Sequence, residues 1–111
     1  MQLGFKLINR TLIVNMSGEI DHHTSEDIRN TIDEHIDKAN VKNVIFDFSN
    51  VIFMDSAGIG IIIGRYKKVS PYGGKVAIAG AKPHIKRMLE ISGVLKICQM
   101  FESINETLIS M

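Results

Sequence analysis

The feature that most constrains the fold is the stretch Val44–Lys68, in which two apolar runs meet at a short polar junction. The first run ends at Met54, and the second is rich in isoleucine and is closed by basic residues. Runs this apolar are expected to be buried. Asp55 and Ser56 stand between them and are followed by glycines. The junction therefore predicts a serine presented between two buried elements.

Hydrophobic periodicity predicts five strands. The first two segments alternate apolar and polar residues, which is typical of half-buried strands, and Asn9-Arg10 between them suggests a tight hairpin. The third is almost wholly apolar, as in a strand covered on both faces. A loop over Ser17–Asp21 is expected after the second strand. The predicted strands are Leu3–Leu7, Leu12–Met16, Val44–Phe48, Lys75–Ala79 and Ile97–Met100.

Four helices are predicted between and after these strands. Thr24 precedes acidic residues in the manner of a helix start, and the helix should continue to about Lys38 or Ala39. Pro83 suits the first turn of another helix, and Gly93 a helix end. A last helix is expected over Ser103–Ile109. The order β-β-α-β-α-β-α-β-α predicts a single α/β domain over residues 1–111, with a mainly parallel sheet and an antiparallel first strand.

The helix predicted over 57–69 has a composition that disfavours it, because glycine and isoleucine are poor helix formers. Its apolar spacing still indicates a helix, capped by Ser56 or Asp55. The stripe expected to face the core consists of Ile59, Ile62, Ile63 and Tyr66. Ile61 and Arg65 are then expected on the outward face, while Gly60 and Gly64 would allow close approach to the sheet.

Composition and charge limit the functional classes. The chain has 111 residues, a net charge of +1 and a single cysteine, Cys98. We therefore expect a cytoplasmic monomer that binds neither nucleic acid nor membrane. Seven acids against one base lie in residues 17–37, and eight bases against one acid lie in residues 65–96. These clusters are either two solvated faces or a surface that orients a protein partner.

Two enzyme motifs are incomplete at the junction. A dinucleotide fingerprint would need a third glycine at position 63, where Ile63 stands. A hydrolase nucleophile elbow would need a glycine in place of Met54, and no histidine is assigned as its base. The adjacent pair His22-His23 is a weak metal motif, since neighbouring residues diverge in direction. The sequence therefore favours a protein that is not an enzyme and that uses no cofactor or metal.

Three segments resemble the STAS-domain anti-sigma factor antagonists: Gly18–Arg29, Val44–Lys67 and Lys86–Ile97. The run Met54–Gly60 (MDSAGIG) is specific to these antagonists. Asp21-His22-His23, together with Gly64-Arg65-Tyr66-Lys67 at the end of the second segment, favours the sporulation members, the anti-sigma-F factor antagonists, over the stress-response members. One departure is Ala57, where the family has serine or threonine.

The resemblance implies a phosphorylation switch. The unphosphorylated antagonist would bind an anti-sigma factor that is also a serine kinase, and this would release the sporulation sigma factor. Phosphorylation of Ser56 would end binding, and a PP2C-type phosphatase would restore it. An antagonist in a stress-response circuit is the alternative.

The resemblance also places Asp21 at the kinase interface, although Asp21 could be a simple turn residue. Asp55 could bind the partner or only cap the helix. Our own candidate partner contacts also include Gly58, Ile61 and Arg65, and Ser56 itself could be merely a cap.

Overall fold

The computed structural model describes all 111 residues. It contains five strands and four helices, and two single 3-10 turns at Ser70–Tyr72 and Val94–Lys96. No helix in the structure is both long enough and apolar enough to span a bilayer. The strands are β1 Gln2–Ile8, β2 Thr11–Ile20, β3 Asn43–Met54, β4 Val76–Ala79 and β5 Gln99–Phe101. The helices are α1 Ser25–Lys38, α2 Ser56–Val69, α3 Pro83–Ser92 and α4 Ile104–Ser110.

The strands form one sheet in the order β1-β2-β3-β4-β5, and only β1 is antiparallel to its neighbour. The predicted element order and sheet type are therefore confirmed. The parallel strands are added in one direction, so right-handed crossovers place all the connecting helices on the same face. Accordingly α1, α2 and α3 contribute to one large core, whereas α4 packs on the opposite face.

Alternation along the strands divides the core between the two faces. On β3, Val44, Phe46 and Phe48 belong to the large cluster beneath the three helices. Ile45 points the other way and joins Ile13 in the small cluster covered by α4. The third strand is thus buried on both faces over this part, as its apolar sequence predicts.

Both strands that lead to the junction are longer than predicted. The expected loop at Ser17–Asp21 is wrong, because β2 continues to Ile20 by pairing with the second half of β3. The pairing contains two register irregularities, one between Asn15 and Ser17 and one between Gly18 and Glu19. As a result, Ile20 and Met54 lie side by side at the ends of their strands.

The prediction that Ile61 and Arg65 lie on the outward face of α2 is wrong. Ile61 is 2% exposed and Arg65 is 7% exposed, so neither lies on an outward face. The actual buried face also contains Gly58, Ile62 and Val69. Gly60 and Gly64 do not approach the sheet, because a methyl group at either position would meet nothing within 4 Å. The helix is rotated relative to the predicted stripe, so Ile59 and Ile63 are only partly buried.

Arg65 is buried because it meets an acid from the neighbouring helix. Its Nε lies 3.1 Å from Oδ1 of Asp33 in α1, without hydrogen-bond geometry. Burial lowers the pKa of the guanidinium, and the attraction of Asp33 opposes this shift. A long aliphatic stem lets arginine fill apolar space while its charge reaches a partner. Arg65 therefore joins α1 to α2 and is not a surface contact.

Asp33→Asn is expected to destabilise the protein by about 1–3 kcal/mol, because it leaves a buried cation without its counter-charge. Urea unfolding measures the change. Asp37→Asn is the matched control, since it breaks the more exposed pair with Lys68 one turn later on the same helix and should cost at most about 1 kcal/mol. Equal losses from the two variants would contradict the structural role of the Arg65 pair.

Candidate functional site

The candidate site lies where β2 and β3 end. Carboxyl ends of parallel strands meet at one edge of a sheet, so the segments after Ile20 and Met54 are neighbours. Ser56 is the first residue of α2 and is exposed. It stands at the positive end of a 14-residue helix dipole. The predicted presentation of this serine between two buried runs is confirmed.

Asp55 is the residue that caps α2, which settles the choice between Asp55 and Ser56. Its Oδ1 accepts a hydrogen bond from the Ala57 amide at 2.8 Å. Its Oδ2 accepts one from the His22 amide at 3.2 Å and lies 3.5 Å from Nδ1 of the same residue. The Asp55 amide donates to the Ile20 carbonyl at 3.0 Å. One side chain therefore holds the helix start and the loop after β2 together, and the serine hydroxyl is left unused by the cap.

Asp21 organises that loop. Its Oδ1 accepts hydrogen bonds from the amides of His23 and Thr24, at 3.0 and 3.1 Å. The Thr24 hydroxyl donates to the Asp21 carbonyl and side chain. Desolvation raises the pKa of Asp21, but the hydrogen bonds from Thr24 and His23 outweigh it, so the pKa lies below its usual value. Asp21 therefore carries its charge at neutral pH within the loop that Asp55 holds.

Gly58 serves packing inside the domain. It is buried, and a Cβ there would overlap the Cγ and Sδ atoms of Met54 and lie 3.4 Å from Ile20. The absence of a side chain lets the first turn of α2 sit directly on the ends of both strands. The prediction that Gly58 contacts a partner protein is therefore not supported, because the position where its side chain would be faces the core.

A groove of about 410 Å³ adjoins the serine, and sequence reasoning missed it. Ser56 and Ile59 of α2 form one wall, and His84, Arg87 and Ile91 of α3 form part of the other. Ile91 is 75% exposed. The available sequence signal was Ile91, an isoleucine of α3 that is not buried with Ile85 and Leu89. Its proximity to Ser56, however, depends on tertiary packing, which no local sequence pattern shows.

The histidines do not form a nucleophile and base pair with Ser56 in this structure. His84 bonds through Nε2 to the Ile52 carbonyl, and His35 bonds to the Thr31 carbonyl and stacks on Phe5. His22 contacts Asp55. The site presents an exposed hydroxyl, two anchored carboxylates and an adjacent apolar groove, which is an arrangement suited to recognition by another protein.

Comparisons with known proteins agree with this arrangement. The STAS domain family model matches residues 4–107. An anti-sigma F factor antagonist of Paenibacillus polymyxa is 40% identical over 103 residues, which cover 93% of this chain and 88% of that protein. The solved structure of the anti-sigma factor antagonist SpoIIAA in its unphosphorylated form has a TM-score of 0.84 at 27% identity, with 96% of this chain and 93% of that chain covered.

A second solved structure, also of a protein named SpoIIAA, is of a phosphorylated form. The Bacillus cell fate determinant SpoIIAA in the phosphorylated form has a TM-score of 0.76 at 26% identity, with 98% of each chain covered. The fold and the family match define a STAS domain. The chain belongs to the STAS domain family and, within it, to the anti-sigma factor antagonists.

Asp55→Ala should destabilise the protein by about 1 kcal/mol, because the first turn of α2 loses its cap. Asp55→Asn is the matched control, since asparagine caps helices as well as aspartate and should cost only a fraction of that. Urea unfolding of the three proteins gives the comparison. If Asp55→Asn lost as much stability as Asp55→Ala, the charge of Asp55 beside His22, and not the helix cap, would be its main contribution to the stability of the fold.

Proposed function

We propose that this protein is a phosphorylation-switched antagonist of an anti-sigma factor. In its unphosphorylated form it binds an anti-sigma factor that is also a serine kinase, and the sporulation sigma factor is released. The kinase phosphorylates Ser56, the complex dissociates, and a PP2C-type phosphatase resets the protein. The observation that carries the proposal is the exposed Ser56 at the start of α2, with its hydroxyl free of the helix cap.

The protein is, in this proposal, a ligand and substrate of its partners and not an enzyme. It acts in the cytoplasm as a monomer, without a cofactor. The assignment to sporulation rests on the 40% identity to an antagonist named for sigma factor F. The stress-response circuit is the alternative circuit for the same type of switch.

Local charge explains how one phosphoryl group can end binding. The group adds a charge of about −1.5 to −2 at neutral pH. A phosphate that carries two negative unit charges and a single carboxylate ~6 Å away repel each other by roughly 1.4 kcal/mol in water and roughly 5.5 kcal/mol at an effective dielectric of 20. Asp55 is adjacent in sequence, and Asp21 lies in the loop that Asp55 binds. Because these groups belong to one molecule, affinity falls by the amount by which their repulsion grows when the partner excludes water from the site, and an increase of about 1.4 kcal/mol already corresponds to a tenfold loss of affinity.

The partner surface follows from exposure. Asp21 and Asp55 remain candidate contacts, since the Asp21 loop is at the surface and Asp55 is partly exposed. Gly58, Ile61 and Arg65 are buried and are withdrawn as direct contacts. Ile59 and Ile91, which line the groove next to Ser56, replace them as the apolar part of the surface covered by the kinase.

Incubation with the cognate anti-sigma kinase and ATP should place one phosphoryl group on Ser56, as mapped by mass spectrometry. Ser56→Ala should bind the kinase and remain bound. Ser56→Asp should bind about tenfold more weakly or worse, because its carboxylate supplies part of the phosphate charge. Calorimetric titration measures both affinities.

Ser49→Ala is the control for the modification site, since the Ser49 hydroxyl is already hydrogen-bonded to Asp47 at 2.6 Å. It should be phosphorylated like the wild type. Phosphate mapped to Ser49 or Thr24 would refute the site assignment, and tight binding by Ser56→Asp would refute the charge mechanism.

A further inference from the structure

Two basic side chains of α3 share the groove with Ser56. His84 and Arg87 are three residues apart, so they lie on the same side of the helix. Apolar side chains of Ile59, Met88 and Ile91 surround them, and no carboxylate lines the groove. A negative charge placed on Ser56 would therefore meet the Arg87 guanidinium, with the His84 imidazole beside it, on one side of the site.

Arg87 is available for such a charge. It is exposed and takes part in none of the ion pairs or side-chain hydrogen bonds of the structure. The neighbouring lysines are engaged, since Lys82 donates to the Ser49 carbonyl and Lys86 pairs with Glu102. His84 is fixed by its bond to the Ile52 carbonyl. The guanidinium is thus the unengaged cation of this groove.

We propose that Arg87 pairs with the phosphate on Ser56 within the same molecule, with His84 beside it. Arginine matches phosphate geometry through two parallel N–H···O bonds. Asp55 and Asp21 lie on the side of the loop after β2 and repel the phosphate, so the group turns toward α3. This inference rests on the proposed function, because it assigns a fate to the phosphoryl group that the switch installs.

The pairing adds a second effect to charge repulsion. A phosphate held by Arg87 bridges α2 and α3 across the mouth of the groove. The apolar walls formed by Ile59 and Ile91 are then covered, and the free cation is neutralised. Phosphorylation would thus remove an apolar docking surface as well as place a charge within the interface.

The phosphate itself reports the pairing through its second pKa, which 31P NMR follows as a function of pH. The charged or titratable groups around it are Asp55, Asp21 and the His22 imidazole on the loop side, and the His84 imidazole and Arg87 on the α3 side. A paired guanidinium stabilises the dianion and lowers this pKa. Phosphoserine is incorporated at position 56 during translation, so the measurement needs no kinase.

Arg87→Gln should raise the phosphate pKa by about half a pH unit or more, which is the effect of losing one partly exposed ion pair. Lys86→Gln is the matched control, because it removes the same charge from the adjacent position of α3, where the side chain pairs with Glu102. The control should leave the phosphate pKa unchanged.

An unchanged phosphate pKa in Arg87→Gln would overturn the pairing, and so would an equal rise in both variants, which would show only a general effect of net charge. Circular dichroism confirms that each variant is folded. The outcome is separate from the proposed function. Failure of a kinase to modify Ser56 would refute the switch, whereas this titration tests only where the phosphate lies.

Discussion

The Asp55 carboxylate is the contact on which the site depends. One oxygen satisfies an amide of the first turn of α2, and the other accepts from the loop after β2. With the cap supplied by its neighbour, Ser56 is fixed in position yet chemically free.

The rest of the domain keeps this contact in place. Ile20 and Met54 end their strands side by side, and the missing side chain of Gly58 lets α2 begin directly on them. Further along the helix, Arg65 and Asp33 join α2 to α1. The serine is therefore held by backbone and core on one side and is open to solvent on the other, which suits a residue that another protein must reach and modify.

The sequence predicted the parts of this arrangement that depend on local patterns. The element order, the sheet type and the exposed serine follow from periodicity and from the polar junction between two apolar runs. The rotation of α2 did not follow, because its isoleucines and glycines support two overlapping stripes. The partner that lets Arg65 be buried lies 32 residues away, so no local pattern reveals it.

Two other features that the sequence did not predict, the extended end of β2 and the groove, also depend on contacts between distant residues. The polar residues that suggested a loop after Met16 continue β2 because the second half of β3 pairs with them. The groove joins Ile59 to Ile91, which come from different helices. Sequence reasoning therefore located the exposed serine but not the surface around it, since the former is a property of one junction and the latter of tertiary packing.

The central claim is that the switch acts through charge at a preformed site, with no refolding. Amide chemical shifts of the unphosphorylated and phosphorylated proteins test it directly. The account predicts changes confined to Asp21–Thr24, Asp55–Gly60 and the facing residues of α3, with the central strand segments Val44–Phe48 and Val76–Ala79 unchanged. Changes spread through those two strands would show that phosphorylation rearranges the core, and would contradict the account.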